Sequence, residues 1–265
     1  MSKLFDLSGK VAVVSGAARG LGRAMATALA EAGADLMLVD RNGVGAEETA
    51  QTITRLGRRA LAVASDVSEP AQVRALFAEL DRTLGRIDFL GNVAGDAQLG
   101  KPEDISLEDV EKTWRNLVLG RFCACQEAGR RMLKLGKGSI VNIGSLASIT
   151  AMGRGHVAYS MAMGAVVQMT RELSTEWSGR GVRVNAILPA QVVNPGLEAR
   201  MASDPNLRAK FLSGIPTGRL GDPSDIRGLA VFLASDASAW ITGALIPMDG
   251  GNLAMNAGGT IGGAS

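Results

Sequence analysis

Aromatic residues are scarce, at 4% of the chain, and there is a single tyrosine, Tyr159. The core must therefore be packed from Ala, Val, Leu, Ile and Met. One histidine and two cysteines cannot furnish the ligand set of a metal centre, so no metal is expected. Cys123 and Cys125 stand in a C-x-C spacing inside an apolar helical run, which reads as buried reduced thiols in a cytoplasmic protein. Neither sign of charge dominates, since 28 basic and 26 acidic residues leave a net +2. The basic residues are scattered, and the one cluster, RLGRR at 55–59, reads as the solvated end of a helix. No nucleic acid and no membrane surface is expected as a partner. The stretch MSKLFDLSGK has no long apolar run, so neither a signal peptide nor a membrane span is expected.

Aliphatic residues and glycine are plentiful, with 34 glycines falling at the ends of apolar runs. Seven runs read as buried strands: 10–16, 34–40, 59–67, 86–95, 138–145, 183–190 and 244–251. Their near-continuous apolar character is that of a parallel sheet covered on both faces. Helical patterns occupy 20–32, 43–56, 69–84, 107–135, 159–179 and 223–235, with start signals at Ser68-Glu69-Pro70 and Asp222-Pro223-Ser224-Asp225. Strands alternating with helices predict an α/β fold, a doubly wound parallel seven-stranded sheet in a three-layer sandwich. No Pro/Gly/Ser-rich linker interrupts it, so one domain is expected over 1–265, with a substrate-loop region at about 192–222.

The first run leads into SGAARGLGRAMA, which places Gly16, Gly20 and Gly22, with Arg19 and Leu21 between them, where a strand meets a helix. Glycines there allow a sharp turn and let backbone approach a pyrophosphate at the positive end of the helix. The second run ends in Asp40, whose carboxylate can accept from ribose hydroxyls and would repel a 2′-phosphate. NAD is therefore expected over NADP, although Arg41 and Arg19 partly offset that repulsion. Asp66 and Val67 close the third run, placed to meet an adenine; capping of the next helix by the aspartate is compatible with that role.

Taken together, these motifs resemble the short-chain dehydrogenase/reductase family, in its single-domain branch. SGAARGLG stands for TGxxxGxG, NVAG at 92–95 for NNAG, and PAQVVN at 189–194 for PGxxxT. Ser145 and Tyr159 stand for the catalytic pair, 14 residues apart, one more than is usual in the family. The resemblance implies a Rossmann-type fold and hydride transfer between a nicotinamide and a small alcohol or ketone. It makes Tyr159 the general acid/base and Ser145 the hydrogen-bond partner of the substrate oxygen. Asn92, Ala94 and Gly95 would pass along the cofactor, and Pro189, Val192 and Asn194 would hold its carboxamide end. Asp96, Ala147, Met152, His156 and Gln191 would border the substrate, although His156 also reads as a loop histidine that lies nearby. A homodimer or homotetramer is implied as well.

Two positions depart from the family. Its lysine, four residues after the tyrosine, is Met163. That lysine binds the nicotinamide ribose, and its charge lowers the phenol pKa from about 10. In WRNLVLGRF, alignment on Gly120 and Phe122 puts Leu117 where the family has a relay asparagine. Asn116 is about 100° away round a helix and could serve only if the helix kinked or changed register. The expectation is an NAD(P)-dependent dehydrogenase with an impaired or altered proton relay, slow near neutral pH. A non-catalytic NAD-binding partner subunit is the second reading, and a lyase or epimerase the third. The substrate is not legible in the sequence.

Overall fold

In a computed structural model that describes residues 3–255, the apolar runs become seven strands. These are β1 (Val11–Ser15), β2 (Asp35–Asp40), β3 (Ala60–Ala64), β4 (Phe89–Asn92), β5 (Gly138–Ile143), β6 (Val182–Pro189) and β7 (Leu245–Met248). They pair in parallel in the order β3-β2-β1-β4-β5-β6-β7, the doubly wound arrangement expected. The strands are shorter than the apolar runs. β3 stops at Ala64 and β4 at Asn92, which releases Asp66 and the segment Val93–Gly95 into loops at the carboxyl edge.

Alternation along β1 divides the core between the two faces of the sheet. Ala12 and Val14 face one layer with Leu36, Phe89 and Ile187, against Met25 and Leu29 of α1 (Gly20–Glu31) and Ile53 of α2 (Gly43–Arg55). Val11 and Val13 face the other with Met37, Leu90 and Ile140, against Phe77 and Leu80 of α3 (Pro70–Thr83). Pro70 opens α3 at its first turn, where a missing N–H costs nothing.

The pattern at 107–135 is not one helix. It divides into α4 (Leu107–Trp114), a π-helical turn over Arg115–Leu119, and α5 (Gly120–Leu135). A π-turn adds one residue to the helical count and so changes the register of what precedes it. α6 runs Val157–Trp177, opening before Tyr159. At 223–235 a 3₁₀ turn, Pro223–Ile226, leads into α9 (Arg227–Ala234). The substrate-loop region expected at 192–222 contains α7 (Pro195–Ser203) and α8 (Leu207–Leu212) around Leu197, Phe211, Ile215 and Leu220.

Gly120 fixes where α5 begins. A Cβ at this position would lie 2.0 Å from the Val67 carbonyl oxygen, so only glycine lets the helix touch the chain leaving β3. Gly120→Ala must push these two elements apart, and a cost of about 1–3 kcal/mol is expected. Thermal or urea unfolding of the variant measures it; an unchanged midpoint would show that the contact is not tight.

Candidate active site

The strand ends of β1 and β2 shape one side of a cleft at the carboxyl edge of the sheet. Gly16 turns the chain with φ 71°, and a Cβ on Gly22 would come 2.0 Å from the Gly16 carbonyl oxygen. Arg19 occupies the N-cap of α1 in extended conformation, and no side chain caps the helix. The first N–H groups of α1 are therefore available to an anion in the cleft. Gly16, Arg19, Gly20, Leu21, Gly22, Asp40, Arg41, Asp66, Val67, Ala94, Gly95, Val192 and Asn194 all line this cleft. Among the residues named from the sequence as holding a cofactor, Asn92, Pro189 and Tyr159 do not line it.

Each acid in the cleft is held by backbone. Asp40 accepts from the amides of Ala18 at 3.0 Å and Asn42 at 2.9 Å, which pins the carboxylate at the tip of β2. Asp66 accepts from the Ser68 amide and hydroxyl and lies 3.9 Å from Arg41. Burial works against its charge, but the Ser68 bonds and Arg41 together hold its carboxyl below the usual range. Ser65 also lines the cleft, and its hydroxyl is buried without a hydrogen-bond partner. A buried hydroxyl left unpaired is costly, so this atom calls for a group in the cleft.

A second pocket continues from Gly95 past Ser145 and Tyr159. Ser145 follows β5, and its hydroxyl accepts from the Ala147 amide at 3.1 Å, while its amide donates to the Ser148 hydroxyl at 3.1 Å. That reciprocal cap fixes Ser145 in the mouth of the pocket. Tyr159 lies half-buried on the first turn of α6, and its side chain makes no hydrogen bond among the described residues. His156 packs edge-on against it, with centroids 6.1 Å apart. His156 Nδ1 lies 2.9 Å from the Gly153 oxygen and 3.0 Å from that of Arg154. Carbonyls only accept, so Nδ1 carries the proton and Nε2 is left free.

Asp96, Met152, His156, Pro189 and Gln191 all line the second pocket, and the Gln191 side-chain oxygen is buried without a partner. Arg154, in left-handed conformation at φ 56°, lies over the Phe211 ring and lines it too, as does Arg200. Two residues named from the sequence face elsewhere. Ala147 is buried behind the pocket, and its amide steadies Ser145. The Asn92 side chain turns into the core, donating to Asn142 at 2.9 Å beside the Cys125 thiol.

Beneath Tyr159 lies an apolar cluster of Leu117, Ala162, Met163 and Val166, with Trp114 and Tyr159 against it. Met163 is fully buried, at 0% exposure. Leu117 and Met163 thus pack together in this cluster. The π-turn sends the neighbouring Asn116 to the lining of the first cleft.

Arg121 was not singled out from the sequence. It lies on the first turn of α5 and is only 4% exposed. Its Nε and Nη2 donate to the Ala94 carbonyl at 3.3 and 3.1 Å, and Nη1 donates to the Ile143 carbonyl. Burial pushes its pKa down to about 10, and the Tyr159 phenol and Cys125 thiol support its charge. It remains a cation at neutral pH. The signal that could have exposed it is a lone charge in the otherwise apolar run Leu117–Cys125.

A helix N-terminus facing one cleft, with a serine–tyrosine pair in an adjoining pocket at the carboxyl edge of a doubly wound sheet, defines a nicotinamide-dependent oxidoreductase. The chain belongs to the short-chain dehydrogenase/reductase family: a family model described as enoyl-(acyl carrier protein) reductase matches residues 16–252. It is 43% identical over 248 residues to D-threitol dehydrogenase of Mycolicibacterium smegmatis, covering 93% of this chain and 94% of that protein. It is 38% identical over 255 residues to galactitol 2-dehydrogenase (L-tagatose-forming) of Cereibacter sphaeroides, covering 94% and 96%. The structure of a gluconate 5-dehydrogenase from Burkholderia cenocepacia in complex with NADP and tartrate superposes with a TM-score of 0.89 at 32% identity, covering 95% and 98%. Among the described residues no helix is long and apolar enough to cross a membrane.

Proposed function

We propose that this protein oxidises a secondary hydroxyl of a small polyol or sugar-derived alcohol with NAD, reversibly, using Ser145 and Tyr159. The observation that carries the reading is the pocket in which both residues meet, continuous with the cleft through Gly95, Val192 and Asn194. The cofactor supplies a hydride acceptor at its nicotinamide ring. The uncapped start of α1 suits its pyrophosphate, Asp40 its ribose hydroxyls, and the unpaired Ser65 hydroxyl its adenine end. Asn194 and Val192 line both cavities and Pro189 lines the second, and the nicotinamide would lie between them.

Ser145 holds the substrate oxygen, and the Tyr159 oxygen takes the hydroxyl proton as a hydride leaves the carbinol carbon. The alcohol would become a ketone, its hydride passing to the bound nicotinamide, and the proton taken up by Tyr159 would pass on to solvent. In reduction the same tyrosine returns the proton. Apolar Leu117 and Met163 pack beneath the phenol, which favours a proton relay altered from the family's. Gln191, with its unpaired oxygen, His156 through Nε2, and Asp96 offer partners to further hydroxyls. That chemistry agrees with relatives named for threitol and galactitol.

The relatives named for threitol and galactitol favour the catalytic reading over the non-catalytic one. The buried free thiols of Cys123 and Cys125 fit a reducing, cytoplasmic setting. Exposed Leu119, Phe122 and Met161 on and beside α5 and α6 fit self-association as a dimer or tetramer.

Tyr159→Phe is expected to lower kcat by at least about a hundredfold while NAD still binds. Turnover by this variant close to wild type, measured across a polyol panel, would remove Tyr159 from the mechanism. Asp40→Ala is expected to shift the ratio of kcat/KM for NAD over NADP by about tenfold or more toward NADP. An unchanged ratio would show that the carboxylate does not read the ribose.

A further inference from the structure

We infer that the substrate carries a carboxylate, and that Arg154 and Arg200 bind it at the mouth of the pocket that holds Ser145 and Tyr159. The inference rests on the proposed oxidation of a small sugar-derived alcohol and narrows its substrate to a polyhydroxy acid.

The backbone at Arg154 gives the first reason. The loop leading into α6 holds three successive residues in left-handed conformation: Gly153 at φ 62°, Arg154 at 56° and Gly155 at 72°. Among the described residues Arg154 is the one non-glycine residue with positive φ. Glycine enters this region freely, whereas a residue with a Cβ does so at a cost, and such residues gather at ligand clamps and active sites. The loop itself does not call for arginine. The Gly153 and Arg154 carbonyls face His156 Nδ1, and the Gly155 carbonyl accepts from the Gly100 amide at 2.9 Å. Glycine at 154 would keep every one of these bonds without the strain. What arginine adds is its side chain.

That side chain is aimed at the pocket. The Arg154 guanidinium lies 5.3 Å from the centroid of the Phe211 ring, and both residues line the cavity. Stacking on an aromatic face holds a planar cation in place. Phe211 is itself fixed by packing with Leu197, Ile215 and Leu220. The second cation comes from α7, where Gly196, Leu197 and Arg200 all line the same pocket. Their spacing puts them on one side of the helix, which buried Leu197 anchors. Two guanidiniums from separate segments therefore meet at one opening.

Neither has a counter-ion in the protein. Among the described residues no carboxylate lies within ion-pair distance of Arg154 or Arg200. Partial burial and the nearby Arg200 charge both push Arg154 below the usual arginine range. Like charges side by side and partly withdrawn from water repel, and an anion between them removes the repulsion. A neutral polyol would leave it unrelieved.

The sum of charges selects the anion. Asp96 is the acid of the pocket, standing next to Gly95 at the cofactor end, with one oxygen taken by the Ala97 amide at 2.9 Å. With the His156 ring neutral, two positive charges and one negative leave the lining at +1. One carboxylate brings this to zero, and its two oxygens suit the fork of a guanidinium. A phosphate ester, close to −2, would exceed it.

Matched compounds test the inference: threonate against threitol, and gluconate against glucitol, with glucitol 6-phosphate added for the phosphate case. In the wild type, kcat/KM for each acid is expected to exceed that of its neutral partner by about tenfold or more. The excess should shrink in about 0.5 M salt, which screens exposed charge. Arg154→Gly removes the charge and the backbone strain together, so it should lose most of the acid preference without lowering the unfolding midpoint. Arg200→Gln should lose it as well, and Arg154→Lys, which keeps the charge, should lie between. Calorimetric titration of the NADH-bound protein with gluconate or threonate needs no turnover, and both neutral variants should bind about tenfold more weakly there. A wild type that binds neither acid, or that favours the neutral partner or the phosphate ester, overturns the inference. So does an acid preference that survives in both Arg154→Gly and Arg200→Gln. Acids that bind through these arginines while no compound of any pair is oxidised would instead overturn the proposed oxidation and leave the carboxylate site standing.

Discussion

Parallel pairing of β1, β4 and β5 is the constraint on which the site depends. Val14 lies opposite Gly91, and Asn92 opposite Asn142, so three strands end at nearly one level. The glycine loop, the Val93–Gly95 segment and Ser145 emerge from those ends side by side. Hydrogen bonds across the ends tighten the arrangement: the Ser15 hydroxyl accepts from the amides of Val93 and Ala94, at 3.0 and 3.1 Å. Arg121 ties the next pair of strands in the same way, through Ala94 and Ile143. The cleft and the pocket are thus two parts of one edge, and a shift in either strand end would be felt in both.

Beneath the pocket the chain trades polarity for packing. Met163 and Leu117 fill, with Val166 and Ala162, a volume sealed from solvent. A charge placed there would lose its hydration, whereas methionine adapts to the space at no electrostatic cost. The buried Arg121 guanidinium, by contrast, has its donors taken up by the backbone carbonyls of Ala94 and Ile143. Hydrogen bonding of this kind is what makes a buried cation tolerable. Cys125 and Asn92 close the inner side of the same region through Asn142.

Most of the fold was legible because it rests on periodicity. Val11–Ser15 and Asp35–Asp40 are apolar on both faces, which only a covered parallel strand requires, and the glycines of the first loop mark the turn into α1. The break between α4 and α5 was not legible, since a π-turn leaves the helical pattern almost intact. α7 and α8 were missed because their amphipathic stripes are short and assemble around Phe211 and Leu197 only in three dimensions. In the site, Ser145, Tyr159 and the glycine loop followed from motif and spacing. Asn92 carries the motif but turns inward, because a strand end has two faces and the motif does not say which. Arg121 escaped notice because its meaning lies in what it touches across three elements.

The central claim is that this edge supports hydride transfer with a tyrosine that has no lysine beside it. Single-turnover mixing of the unmodified protein and NAD with polyols, each bearing hydrogen or deuterium at the reacting carbon, tests it most directly. The account predicts NADH in an amount matching the sites, slowed by deuterium. NAD binding with no NADH formed from any polyol or sugar acid between about pH 7 and pH 10 would contradict it.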